Sequence, residues 1–167
     1  GRKYGGLSFY QRKEIKDIIS YFRLIVNPND EEAFRRIINY PTRGIGTVTV
    51  AKITAAAQLH HVSLWQVANT PLEYNLDINT GTSSKIEGFC SLIQDFITQK
   101  STLNAFTLAQ EVIKNSGIAK DAYEDMTPEG MSRAQNMQEL LNAMNEFVET
   151  QQEQGEEAVG LADFLSE

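Results

Sequence analysis

The sequence predicts an all-α domain, on three observations. Apolar residues recur at helical spacing along most of the chain, residues that start or stop helices flank those stretches, and the alternating pattern of half-buried strands is almost absent. At 167 residues, 41% hydrophobic and 22% charged, with 11 Gly and 4 Pro, the chain has the size and composition of one folded domain with a real core.

The elements follow in order. Phe9, Ile15, Ile18, Ile19, Phe22 and Ile25 form one stripe and predict a helix over 8–26. It stops at Asn27-Pro28-Asn29-Asp30, because proline disfavours helix in the residue before it and Asp30 is a good N-cap. Glu31 and Glu32 then suit the positive end of a short second helix ending near Asn39. Tyr40-Pro41-Thr42-Arg43-Gly44-Ile45-Gly46 is a tight connection, with Thr47 as the expected cap of a third helix running through Leu59. The β-branched residues of 47–50 are too few, and too close to the glycines, for a strand. Ser63 caps a small fourth helix with Leu64, Trp65 and Val67, and the polar, Pro- and Gly-containing stretch 70–84 reads as a surface loop. Ile86, Phe89, Cys90, Ile93, Phe96 and Ile97 mark the next helix. Phe106, Leu108, Ala109, Val112 and Ile113 mark another, closed by Gly117. Thr127-Pro128 opens the last long helix, with Met131, Met137, Leu140, Met144 and Phe147 in period. A polar frayed stretch, 151–157, follows. A final helix starts near Gly160 and is still apolar at Leu161, Phe164 and Leu165, as expected of a piece cut from a longer chain.

Several function classes lose support at this level. A single cysteine, Cys90, makes no internal disulfide and reads as a buried small hydrophobe; with the adjacent His60 and His61 it offers no metal-ligand spacing. The histidines fall at a helix C-terminus, where a structural or exposed role is expected. Trp65, Tyr21, Phe22 and the four methionines read as core packing; only Tyr21, Phe22 and Arg23 come near an aromatic platform for single strands. No nucleophile, base or metal cluster stands out, so no catalytic site is expected, and no phosphate-binding Gly-Lys-Ser/Thr loop is present. No apolar run suits a membrane span or a secretory signal, which predicts a cytoplasmic protein without membrane contact.

Charge is divided along the chain. Residues 1–52 hold ten Lys/Arg and five Asp/Glu, while 53–167 hold five and seventeen, so a net +5 segment precedes a net −12 segment within a total of −7. That division fits a protein that meets phosphate with one face.

The most informative stretch lies inside the basic segment, where Gly44-Ile45-Gly46 joins two predicted helices in a helix-hairpin-helix-like element. Glycines permit a turn that other residues resist, and Ile45 between them can plug the core while the turn's amides face outward. Those amides open a helix, where unpaired N–H groups and the dipole favour an anion such as a DNA phosphate. Thr47 and Thr49 add hydroxyls, and Arg36, Arg43 and Lys52 add charge, without reading bases. The expected binding is sequence-independent and salt-sensitive.

Gly5-Gly6-Leu7-Ser8-Phe9-Tyr10-Gln11-Arg12-Lys13-Glu14-Ile15-Lys16-Asp17, Tyr21-Phe22-Arg23, Asn27-Pro28-Asn29-Asp30 and Arg36-Ile37-Ile38-Asn39 with the Gly-Ile-Gly turn resemble the UvrD/Rep/PcrA group of superfamily 1 DNA helicases. The likeness is dense over 5–53 and looser over 103–117 and 133–147. It implies that 1–26 forms a border helix continuous with the parent's second motor domain and that 27–167 is the inserted helical accessory domain called 2B. It further implies a parent that unwinds duplex DNA 3′-to-5′ with ATP and Mg²⁺, neither of them bound by this fragment. The Gly-Ile-Gly turn (Arg43, Gly44, Ile45, Gly46, Thr47, Thr49) would touch duplex at a fork. The implied partners are that duplex, the parent's motor domains and repair proteins. The alternative reading is a protein-interaction or interdomain packing module of the same helicase, with negligible DNA binding in isolation.

Overall fold

The computed structural model describes residues 6–167. Residues 1–5, which begin the expected border segment and include Gly5 of the family likeness, lie outside the described residues. The architecture is all-α: α1 (Gly6–Tyr10), α2 (Lys13–Val26), α3 (Glu31–Ile37), α4 (Thr47–His60), α5 (Leu64–Asn69), a turn of 3₁₀ helix (Pro71–Tyr74), α6 (Thr80–Lys100), α7 (Ala105–Asn115), α8 (Ile118–Glu124), α9 (Pro128–Glu153) and α10 (Leu161–Leu165). The described residues include no strand.

The hub is α2. Its apolar stripe is wide enough to be buried nearly all round, with Ile15, Tyr21, Phe22, Leu24 and Ile25 fully inaccessible, and it packs on α3, α6, α7, α9 and α10. One continuous core runs from Phe9 to Phe164 through all of these helices. Burying each large apolar side chain contributes about 1.5–3 kcal/mol. By contrast α4 rests on the body by buried Ile53, Ala56 and Ala57 with half-buried Val50 beside them, and Thr47 and Val48 at its start are open to solvent.

The helix starts read from the sequence are built as expected at several points. Asp30 accepts from the Ala33 amide (3.0 Å), Ser63 from Gln66 (3.0 Å) and Thr127 from Gly130 (3.2 Å), each satisfying an amide that has no intrahelical acceptor. His60 ends α4, and His61 closes it in the left-handed conformation, φ 55°.

Four local expectations change. The helix expected over 8–26 breaks at Gln11 and Arg12, where Arg12 turns extended to start α2. More than half of the expected loop 70–84 is helical: Pro71 starts a 3₁₀ turn, and α6 begins at Thr80 because the Asn79 side chain accepts from the Thr82 amide. Gly117, φ 93°, ends α7 and at once starts an additional helix, α8. Of the four methionines, Met137 and Met144 are core, whereas Met126 between α8 and α9 and Met131 on the open face of α9 are exposed.

Cys90 is buried, and burial pushes its thiol up to about 12. The native chain is expected to resist a thiol-selective reagent at neutral pH and to react quickly once unfolded in urea. Rapid stoichiometric labelling of folded protein would contradict this.

Candidate nucleic-acid interface

The connection between α3 and α4 is fixed from within by two side chains. Asn39 at the end of the α3 turn accepts from the amides of Arg43 (2.8 Å) and Ile45 (3.0 Å), so one carboxamide oxygen shapes the whole turn. Ile45, 1% exposed, anchors it in the core. The Tyr40–Pro41 peptide is cis.

The second fixture is Arg43. One terminal nitrogen, Nη1, donates to the carbonyls of Ile37 (2.9 Å) and Tyr40 (2.8 Å) and more weakly to that of Ile38 (3.4 Å); the other, Nη2, donates to the Tyr21 hydroxyl and the Ser116 carbonyl (3.3 Å). Tyr21 in turn donates to the Tyr40 carbonyl. The guanidinium also lies over the Phe89 ring, 5.3 Å from its centre. Burial pushes the Tyr21 phenol up to about 12, so it stays a neutral donor and acceptor inside this network. The charge expected at Arg43 therefore faces inward, and the side chain is not free to meet a phosphate.

The two glycines differ. Gly44 has φ 80°, a left-handed conformation that side-chain-bearing residues resist, and a β-carbon there would crowd Lys85 of α6 at 2.9 Å from Nζ. Gly46 has ordinary extended backbone (φ −84°, ψ 178°) and nothing within 4 Å of an added β-carbon. The chain itself does not demand glycine at Gly46. The residue is the N-cap of α4 and has no side chain with which to cap it, in contrast to the oxygen-bearing caps of α3, α5, α6, α7 and α9. The first-turn amides of α4 thus face outward beside exposed Gly46, Thr47 and Val48. Thr47 is the first helical residue rather than the cap, and Thr49 is half-buried.

The remaining expected cations are partly committed. Arg36 pairs through Nε with buried Asp17 at 2.8 Å, and Asp17 also holds Lys13 at 3.0 Å. Lys52 donates to the Asp77 carbonyl at 2.6 Å, tying α4 to the segment before α6. Tyr21 and Phe22 are fully buried, so they form no platform on which bases could stack.

Against known proteins, the model of the UvrD-like helicase C-terminal domain matches residues 2–167. The chain belongs to that family. This UvrD-like domain is 33% identical over 165 residues to DNA helicase II of Escherichia coli and of Salmonella typhimurium, covering 99% of this chain and 22% of each relative. It is 30% identical over 163 residues to the ATP-dependent DNA helicase PcrA of Bacillus subtilis, covering 98% of this chain and 21% of that protein. It spans about a fifth of the length of these relatives.

Residues that sequence reasoning missed in this UvrD-like domain are Asn39, Lys85 and Lys16, and Arg23 was considered only as part of an aromatic platform. Asn39 carried a readable signal, an Asn that ends a helix beside a proline turn, where its side chain typically bonds nearby backbone. Lys85 carried none, since only the packing of α6 against the turn brings it there. Lys16 and Arg23 are exposed on α2 and line a cleft of about 180 Å³ with Arg36, faced by Asp30 and Glu32, so that cleft holds both signs of charge. Among the described residues no group of His, Cys, Asp and Glu is arranged to hold a metal ion, and no helix is long and apolar enough to cross a membrane.

Proposed function

We propose that this chain is a duplex-DNA-binding accessory domain of the 2B kind within an ATP-dependent, 3′-to-5′ helicase, and that the turn between α3 and α4 is its sequence-independent phosphate contact. The observation that supports it is the start of α4: an uncapped, solvent-facing helix N-terminus held rigid by Asn39, Ile45 and Arg43. Rigid amides bind an anion without first losing conformational freedom, and the helix dipole favours negative charge. Within this reading Gly44, Gly46, Thr47 and Thr49 face phosphate, Lys52 and Arg36 add local charge, and Arg43 and Ile45 hold the turn from behind. Residues 1–26 form the border with the parent's second motor domain, and 27–167 the accessory domain. Catalysis, with ATP and Mg²⁺, belongs to the parent's motor domains in the cytoplasm, and the domain's partners are duplex at a fork, those motor domains and repair proteins.

The test is an NMR titration of the labelled chain with a short duplex of mixed sequence at low and moderate salt. Amide shifts centred on Gly44 to Thr49 that fade as salt rises are the expected result. Shifts absent at millimolar duplex would overturn the reading. A second reading, an interdomain packing module, is favoured by the exposed Tyr123, Met126 and Met131 around the α8–α9 junction, which suit contact with another protein surface. It predicts no duplex-dependent shifts and protection of those three side chains in the parent helicase.

A further inference from the structure

We propose that Lys85 is a further phosphate-binding residue of the same interface, reaching the duplex backbone from α6 across Gly44; the proposal rests on the reading of the α3–α4 turn as a duplex contact. Lys85 sits on α6, a separate element from the turn, yet its ammonium lies directly over Gly44, so close that a β-carbon at Gly44 would be 2.9 Å from Nζ and 3.3 Å from Cδ and Cε. Glycine at this position is required by the positive φ, and the flexible lysine side chain lies against the bare backbone it leaves.

The ammonium has nothing else to do. Lys85 is exposed, and among the described residues its side chain enters no ion pair or hydrogen bond. The positions on α6 where a helical partner would sit are Gly81, Thr82, Gly88 and buried Phe89, none of them acidic. Glu87 lies on another side of α6, in the cleft with Leu72 and Cys90. Gly88 sits inside the helix, where glycine costs roughly 0.5–1 kcal/mol relative to alanine, and no neighbour lies within 4 Å of an added β-carbon. Among the described residues no packing accounts for a glycine there, and Gly81 and Gly88, about one turn to either side of Lys85, put no side chain beside it.

The other cations at the turn are held to different degrees: Arg43 is spent on carbonyls, whereas Arg36, paired through Nε with Asp17, and Lys52, bonded to the Asp77 carbonyl, are only partly committed. A chain of net charge −7 that binds phosphate at the start of α4 needs an uncommitted positive charge nearby, and Lys85 is placed to be that charge. An ammonium serves here as a point charge with rotatable donors, which suits backbone contact without sequence readout.

The test compares Lys85→Gln with Lys100→Gln in duplex titrations across a salt series. Both remove one positive charge, but Lys100 lies at the far end of α6, about 22 Å away along the helix. Lys85→Gln is expected to weaken binding and to flatten the slope of log affinity against log salt by about 0.9, the signature of one lost phosphate contact, with an unchanged thermal midpoint. Lys100→Gln is expected to leave the slope alone. An unchanged slope for Lys85→Gln, or equal losses for both variants, would overturn the proposal. Gly46→Asp serves as the reference: if it abolishes binding while Lys85→Gln changes nothing, only the assignment of Lys85 fails. If neither variant affects binding, the reading of the turn fails and takes this assignment with it.

Discussion

Replacing Gly46 by Asp is expected to leave the chain as stable as before or slightly more so, and to weaken duplex binding on the order of ten- to a hundredfold. The two effects have one cause. Gly46 is the N-cap of α4, adopts extended backbone and has open space where a β-carbon would go, so an aspartate fits without strain. Its carboxylate would accept from a first-turn amide and face the positive end of the helix dipole, gaining a few tenths to about 1 kcal/mol. The same carboxylate would occupy the amides proposed for phosphate and repel an incoming anion. Loss of a charged hydrogen bond of about 1.5–3 kcal/mol gives the expected drop in affinity. Urea unfolding and a low-salt duplex titration of the same sample measure both halves. An undiminished affinity in a stable Gly46→Asp chain would remove the first turn of α4 from the interface. Because folding is not compromised, a loss of binding could not be put down to a damaged domain.

What was legible in the sequence and what was not divides by the range of the interaction responsible. Helix starts set by a neighbour a few residues away were readable: Asp30 before α3, Ser63 before α5 and Thr127-Pro128 before α9. The break at Arg12 was not, because the apolar stripe runs through it. Arg12 and Glu14 are held in place by Asn136, a buried residue of α9 far along the chain. The early start of α6 was hidden by composition, since Thr80 to Ser84 look like loop until the Asn79 cap is recognised. At the interface, the glycines and Ile45 stood out as a local motif. The difference between Gly44 and Gly46 did not, as both look equally permissive in a string of letters. Arg43 was read by its charge, but its partners come from α2, α3, α6 and the residue that ends α7 as well as the turn itself, and only the assembled core shows that the charge points inward.

Arg43 carries the largest expected effect on stability. Arg43→Ala would strip donors from the carbonyls of Ile37, Tyr40 and Ser116 and from the Tyr21 hydroxyl, in a region shielded by Phe89 and Ile45. Hydrogen bonds to a charged group contribute about 1.5–3 kcal/mol each and do not add, while buried acceptors left unmet cost about 1–3 kcal/mol apiece. A loss of about 3 kcal/mol or more is expected from urea unfolding, a large fraction of the stability of a domain of this size. Arg43→Lys is expected to recover little of it, because an ammonium on a flexible stem cannot reach acceptors on both edges of the guanidinium plane or replace its contact with the Phe89 ring. Tyr21→Phe, which keeps the ring and removes one member of the network, is expected to cost about 1 kcal/mol. The comparison also decides between two jobs for this residue. A phosphate contact would be largely satisfied by lysine and, when removed, would flatten the salt dependence of duplex binding by about 0.9. A clamp behind the turn would show the opposite pattern: Arg43→Lys would lower stability and affinity together, shift amides throughout 39–46, and leave the salt slope of the residual binding unchanged. Full stability in Arg43→Lys with a flattened slope would turn the guanidinium outward in solution and return Arg43 to the proposed phosphate contacts of the turn.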